Sequence, residues 1–329
     1  MPPDFWRRLT GTRTREPSRA LTLTAPDRES IDLASYLPAR LRKLDTLPER
    51  AAPLDAQTRV EVARGMNRGA GVLAGSVLFD SAIEHYRGGF HNPAMFFPLV
   101  SSTLSIIASA SGVGDNTPSV RRERHVAYAA AAATGFAGLA FHAYNVGKRT
   151  GGFSWTNVFY GAPLGAPAAL VLSGLLGVAA ERVRDAAPGQ RPRLYGMPES
   201  RAIAAVTSAG LAGTAAEAAL LHFRGAFQDP FMYLPVTIPP VTAAMMAAVA
   251  VDGRPRKRPV TRFLLRLTAF LGFAGTGFHI IGVHRNMGGW KNWTQNIQNG
   301  PPIPAPPSFT GLALAGLSVL KMLERSRRE

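Results

Sequence analysis

The chain contains no cysteine. Disulfides, thiolate metal centres, iron–sulfur ligation and covalently attached c-type haem are thereby excluded within it, while the redox compartment is left open. Acidic residues are also scarce, 21 Asp and Glu against 37 Lys and Arg, for a formal net charge of +16. The opening residues, Met1-Pro-Pro-Asp-Phe-Trp-Arg-Arg8, lack the apolar core of a cleaved signal peptide, so insertion into a membrane is expected to use the first true span. In a soluble protein such a basic excess would suggest nucleic acid. No aromatic-basic binding motif accompanies the charge, and no nucleic-acid partner is expected.

Long stretches lack charge altogether. They are rich in Gly and Ala and alternate with short Arg-dense segments, a pattern that mean hydropathy near zero (+0.03) conceals. Eight apolar spans can be placed, at roughly 67–86, 93–113, 126–147, 161–181, 202–223, 230–251, 262–284 and 305–323. Each approaches the ~20 residues needed to cross a bilayer as a helix. The expected class is an all-α polytopic membrane protein embedded in a lipid bilayer. Residues 1–66 read as a basic, partly disordered cytoplasmic segment with a short amphipathic helix around Tyr36–Leu44, and 182–201 and 324–329 as a cytoplasmic linker and tail. Pro239 and Pro240 are expected to kink the sixth span.

Basic residues set the orientation. The connections after the second, fourth and sixth spans and the tail hold eighteen Lys and Arg, among them Arg121, Arg124, Arg184, Arg254 and Lys321. The other side holds six: Arg87, Lys148, Arg149, Arg224, Arg285 and Lys291. The positive-inside rule then places both termini in the cytoplasm and the protein in the inner (cytoplasmic) membrane.

The second half repeats the first. His85-Tyr-Arg-Gly-Gly-Phe-His-Asn-Pro-Ala-Met-Phe-Phe-Pro98 returns as His222-Phe-Arg-Gly-Ala-Phe-Gln-Asp-Pro-Phe-Met-Tyr-Leu-Pro235, and Gly135-Phe-Ala-Gly-Leu-Ala-Phe-His142 as Gly272-Phe-Ala-Gly-Thr-Gly-Phe-His279. In both cases the offset is 137 residues (222 − 85 and 279 − 142). Gly161-Ala-Pro-Leu-Gly-Ala-Pro167 returns as Gly300-Pro-Pro-Ile-Pro-Ala-Pro306. A four-span unit inserts the same way each time, so 67–181 and 202–323 are expected to form two tandem four-helix bundles related by a pseudo-twofold axis along the membrane normal. Glycines 69, 71, 75, 135, 138, 210, 213, 272, 275 and 277 would permit close helix contact.

This topology gathers His85, His142, His222 and His279 at the extracytoplasmic ends of four helices. Arg87 and Arg224 follow in turns attributed to Gly88 and Gly225, while Asp80 and Glu217 align one to two turns deeper. Three chemistries suit the set. One is bis-histidine haem b in each bundle, with Gly135 and Gly138 admitting a porphyrin edge and the arginines holding propionates. Another is a quinone site, where histidine and the carboxylates exchange protons. The last is a metal held by histidines and carboxylates together. Each residue also has a structural reading, as a headgroup anchor or a turn former, and Trp155, Trp290 and Trp293 suit an interfacial aromatic belt.

Paired four-helix bundles are similar in architecture to membrane subunits of the polysulfide reductase type, without a shared motif; the likeness implies a quinone-reactive subunit partnered by an extracytoplasmic redox protein. The leading expectation is therefore a membrane subunit of an electron-transfer complex. A proton- or cation-coupled transporter using Asp80 and Glu217, and a cofactor-free scaffold, stand beside it.

Overall fold

A computed structural model describes residues 53–326 apart from 188, 191, 192 and 195. Asp55 starts the first helix, its carboxylate accepting from the Thr58 amide at 2.8 Å and from the Thr58 hydroxyl. Helix α1 then runs over Ala56–Arg87. It is followed by α2 (Phe97–Gly114, entered through a 3-10 turn at Pro93–Phe96), α3 (Arg122–Gly147), the short α4 (Trp155–Tyr160) and α5 (Gly165–Arg184). A two-strand hairpin, β1 (Arg193–Leu194) with β2 (Met197–Pro198), leads to α6 (Glu199–Arg224). A second 3-10 turn at Pro230–Tyr233 opens α7 (Leu234–Asp252); α8 (Pro259–Arg285), the short α9 (Trp293–Asn299) and α10 (Pro307–Arg325) complete the chain.

Every expected span is occupied by a long helix, but the boundaries differ. Residues 56–66, assigned from composition to a cytoplasmic extension, are the opening turns of α1, because the Asp55 cap precedes a continuous helix and Val60, Val62 and Ala63 face the core. The expected helix at Tyr36–Leu44 lies outside the described residues. Pro239 and Pro240 lie inside α7, which continues through them to Asp252.

Six helices, α2, α3, α5, α6, α7 and α8, are long and apolar enough to cross a membrane, which makes this an all-α, multi-pass membrane protein. Helices α1 and α10 fall outside that set. Arg68, Asp80 and Glu84 interrupt the first, and Lys321, Glu324 and Arg325 end the second. Both are central: α1 packs on α2, α5 and α10, and α10 on α1, α6 and α8. Asp80, Glu84, Lys321 and Glu324 are partly buried against protein, whereas Arg68 and Arg325 are exposed; only side chains set against protein escape the cost of lipid. The outer helices show the complementary pattern, with Phe136 and Phe141 on α3 and Phe263, Phe270 and Phe273 on α8 exposed as a hydrocarbon-facing surface.

Close backbone approach sets the contact between these helices. A Cβ on Gly69 would lie 2.5 Å from the Gly311 carbonyl oxygen, one on Gly135 2.6 Å from the Val171 nitrogen, and one on Gly272 2.9 Å from the Thr310 nitrogen. Gly75, Gly213 and Gly277 meet nothing within 4 Å and do not serve packing. Gly69→Leu is expected to cost about 1–3 kcal/mol by overpacking, whereas Gly75→Leu should be tolerated; thermal unfolding in detergent compares them.

Candidate functional site

Helix α1 ends in a turn that α6 reproduces. The Phe90 amide bonds back to the His85 carbonyl at 3.0 Å, as the Phe227 amide does to that of His222. Gly88 and Gly225 do not carry the unusual backbone, contrary to expectation: their φ angles are −79° and −81°. The left-handed positions are Gly89 and Phe90 (67° and 44°) and Ala226 and Phe227 (56° and 46°). A side chain there costs roughly 1–2 kcal/mol per residue. What the strain achieves is placement of a ring: Phe90 stacks on Phe96 at 4.5 Å and Phe227 on Tyr233 at 4.6 Å, each edge-on to its histidine at 6.1 Å. Asn92 and Asp229 cap the following 3-10 turns through the amides of Ala94 and Phe231.

These turns fix the histidines. His85 Nδ1 lies 2.7 Å from the Met95 carbonyl oxygen and His222 Nδ1 2.7 Å from that of Met232. At the ends of α3 and α8 the pattern recurs, with His142 Nδ1 2.5 Å from the Pro163 carbonyl and His279 Nδ1 2.6 Å from that of Pro302. A carbonyl only accepts, so each Nδ1 donates its hydrogen, and the neutral ring keeps its lone pair on Nε2. Among the described residues no hydrogen-bond partner meets any of these four Nε2 atoms. His142 lies within electrostatic reach of His85, and His222 of His279.

The two carboxylates come from different halves. Asp80 on α1 is within electrostatic reach of Glu217 on α6 and of Glu84. Glu217 rests on the start of α5, accepting from the Gly165 amide, one of the donors a helix N-terminus leaves free. The arginines diverge. Arg87 pairs with Glu84 at 2.7 Å, while the Arg224 guanidinium lies over the rings of Phe159 and Tyr160 at 5.7 and 5.6 Å, bringing α4 against the end of α6. Among the described residues no three His, Asp or Glu side chains converge for a metal, which leaves the combined metal site without support. The loops beyond are pinned by Asn157, which donates to the carbonyls of Thr150 and Gly152, and by Asn296, which donates to those of Met287 and Gly289. Trp155, Trp290 and Trp293 are exposed, and Trp290 stacks on His284 at 4.9 Å.

Sequence reasoning missed a buried ionic cluster at the opposite end of the first half. Arg124 on α3 pairs with Asp115 beyond α2 and, at 3.1 Å, with Glu181 on α5. Glu181 accepts from Asn67 at 2.9 Å, and Tyr128 joins Asn67 to Ser109. Arg184 donates to the carbonyls of Gly112, Asp115 and Thr117. Arg124 and Arg184, counted as headgroup-facing charges, are thus internal, 2% and 0% exposed. Of the aligned positions in the second half, Ala204, Met246, Thr261, Leu265, Leu320 and Leu323 are buried and uncharged, while Asp252 aligns with Asp115 and pairs with Arg258. The signal available was Glu181, an acid just inside an apolar span.

No protein-family model matches the chain, and neither a curated protein nor a solved structure is significantly similar to it.

The cluster makes two predictions. Glu181→Leu alone removes the carboxylate that two buried guanidiniums share and should cost about 3–5 kcal/mol, while Arg124→Thr/Glu181→Leu/Arg184→Leu, which installs the residues of the second half, should recover a large part of the loss. Burial would raise the Asp115 carboxyl, yet bonds from Thr117 and Arg124 outweigh it and hold the group below its usual range. Its folded pKa is depressed, so its contribution is present above the unfolded value and fades as pH falls below about 4. Asp115→Asn should flatten that acid limb of the stability profile.

Proposed function

We propose that the chain is an integral membrane subunit of an extracytoplasmic electron-transfer complex, with quinone sites at the paired imidazoles. One observation carries this reading: four histidines, two per half, each hold Nδ1 on a carbonyl and leave Nε2 as an uncommitted acceptor at a helix end. Such an acceptor takes a proton from a quinol hydroxyl and returns it from the protonated ring, and an imidazole titrates near neutral pH. Asp80 and Glu217, one to two turns deeper, are the proton-exchanging partners. Haem b at the same pairs draws less support from the packing. Gly135 and Gly138, needed for a porphyrin edge, have Pro167 and Val171 against them, and Pro306 and Thr310 fill the space beside Gly272 and Gly275.

In this reading all eight long helices cross the bilayer as two tandem four-helix bundles related by a pseudo-twofold axis, with α1 and α10 shielded at their junction. The matching His–carbonyl and aromatic contacts at α1 and α6 support the symmetry. The basic excess around Arg121, Arg184 and Arg254 supports cytoplasmic termini and an inner-membrane setting, with the paired histidines turned toward an extracytoplasmic redox partner.

A specific observation favours a second reading, a proton- or cation-coupled transporter: Asp80 of one half lies within electrostatic reach of Glu217 of the other. The experiment that separates the two is binding of a prenylated benzoquinone to the protein in nanodiscs, beside uptake in proteoliposomes. Electron transfer predicts saturable quinone binding weakened tenfold or more in His85→Ala or His222→Ala. Absence of binding, with coupled uptake lost in Asp80→Asn, would replace it with transport. A Soret band that shifts on reduction and disappears in His142→Ala would move the assignment to haem.

A further inference from the structure

An open groove of about 470 Å³ lies between α6 and α7. Ser208, Ala212, Ala216 and Ala219 form one wall, and Val236 and Pro240 belong to the other. The Ser208 hydroxyl is taken by the Ala243 carbonyl at 2.8 Å, so the walls present methyl groups and a proline ring. Both flanking helices are apolar enough to cross a bilayer, which makes hydrocarbon the medium outside. The first half carries larger side chains at several of the corresponding positions. At the positions 137 residues earlier stand Leu78, Phe79, Leu99, Ile106 and Ile107, against Ala215, Ala216, Val236, Ala243 and Ala244.

The groove leads to a polar end. On α6 the spacing 208, 212, 215, 219, 222 keeps one face and brings His222 to the top of the wall, while on α7 and its entry turn 240, 236, 232 brings Met232 there. The walls are tied together at that point by the His222–Met232 hydrogen bond. From Ser208 to His222 the rise is roughly 21 Å at 1.5 Å per residue. A single flexible chain fits such a slot, and the head it can carry is restricted by charge. The nearest cation in sequence, Arg224, is held over Phe159 and Tyr160, so its guanidinium is turned to those rings rather than to the His222 imidazole toward which the walls run. A phosphate would lie there without a counter-charge; an uncharged carbonyl or hydroxyl would find an acceptor or, once the ring is protonated, a donor.

We infer that the α6–α7 groove binds the prenyl tail of a membrane quinone whose ring sits at His222, so that the second half holds the long-chain quinone and the first does not. This rests on the quinone reading above. The test transplants side chains from the first half: Ala216→Phe and Ala244→Ile, at exposed positions where added bulk fills only the groove. The full chain in nanodiscs is titrated with a long-tailed prenylated benzoquinone and with its tail-less analogue. The double variant is expected to bind the long-tailed compound at least tenfold more weakly and the tail-less one unchanged. Equal affinity of wild type and variant for the long-tailed compound overturns the groove assignment and leaves the histidine site standing. Loss of a co-purified phospholipid, or of self-association, as the variant's only effect also overturns it. Failure of the wild type to bind either quinone removes the histidine reading itself, and the groove with it.

Discussion

Everything at the histidine end depends on one hydrogen bond made four times, from an imidazole Nδ1 at the end of one helix to a carbonyl in the turn that opens the next. It does three things together. It gives a carbonyl in the turn ahead of the next helix a side-chain donor. It ties neighbouring helices at the level where they leave the apolar layer, His85 to Met95 and His279 to Pro302. It also fixes the tautomer of the neutral ring, which leaves Nε2 as the acceptor. The left-handed Phe90 and Phe227 belong to the same device, because the strained turn carries the stacked ring that borders each imidazole.

The two halves distribute polarity differently around this shared device. The first has a buried ionic cluster, Arg124, Glu181, Arg184 and Asn67, where the second has Leu, Thr and Ala. The second has an alanine-lined groove where the first has Leu, Phe and Ile. A buried neutral cluster locks α1, α2, α3 and α5 into one arrangement, since removing any partner strands a charge. An open groove leaves α6 and α7 in contact with surrounding hydrocarbon. In the proposed function the first half is the rigid member of the pair and the second takes the chain of the ligand.

The approximate placement of the long helices was legible because uncharged runs near bilayer length have few alternative folds, although six rather than eight of them are long and apolar enough to cross a membrane. The start of α1 was not, since Arg59 and Arg64 look like solvent-facing charge until the Asp55 cap and the inward face of Val60, Val62 and Ala63 are seen. Glycines 69, 135 and 272 were read correctly as contact points, while 75, 213 and 277 carry the same residue with no neighbour; composition alone does not report which helix lies opposite. The same gap hid the ionic cluster, whose members come from four separate helices and share no motif. It also misassigned the turn strain to Gly88 and Gly225, one or two residues before the true left-handed positions.

In the proposed function the paired imidazoles hold Nδ1–H on backbone carbonyls and offer Nε2 to a quinol. Nitrogen-15 spectra of histidine-labelled protein in bilayers address it most directly, recorded with and without a prenylated benzoquinol. The account predicts four rings with protonated Nδ1 and lone-pair Nε2, whose Nε2 resonances move on quinol addition while those of His125 do not. Nε2-protonated rings, or four Nε2 resonances unmoved by saturating quinol, would contradict it.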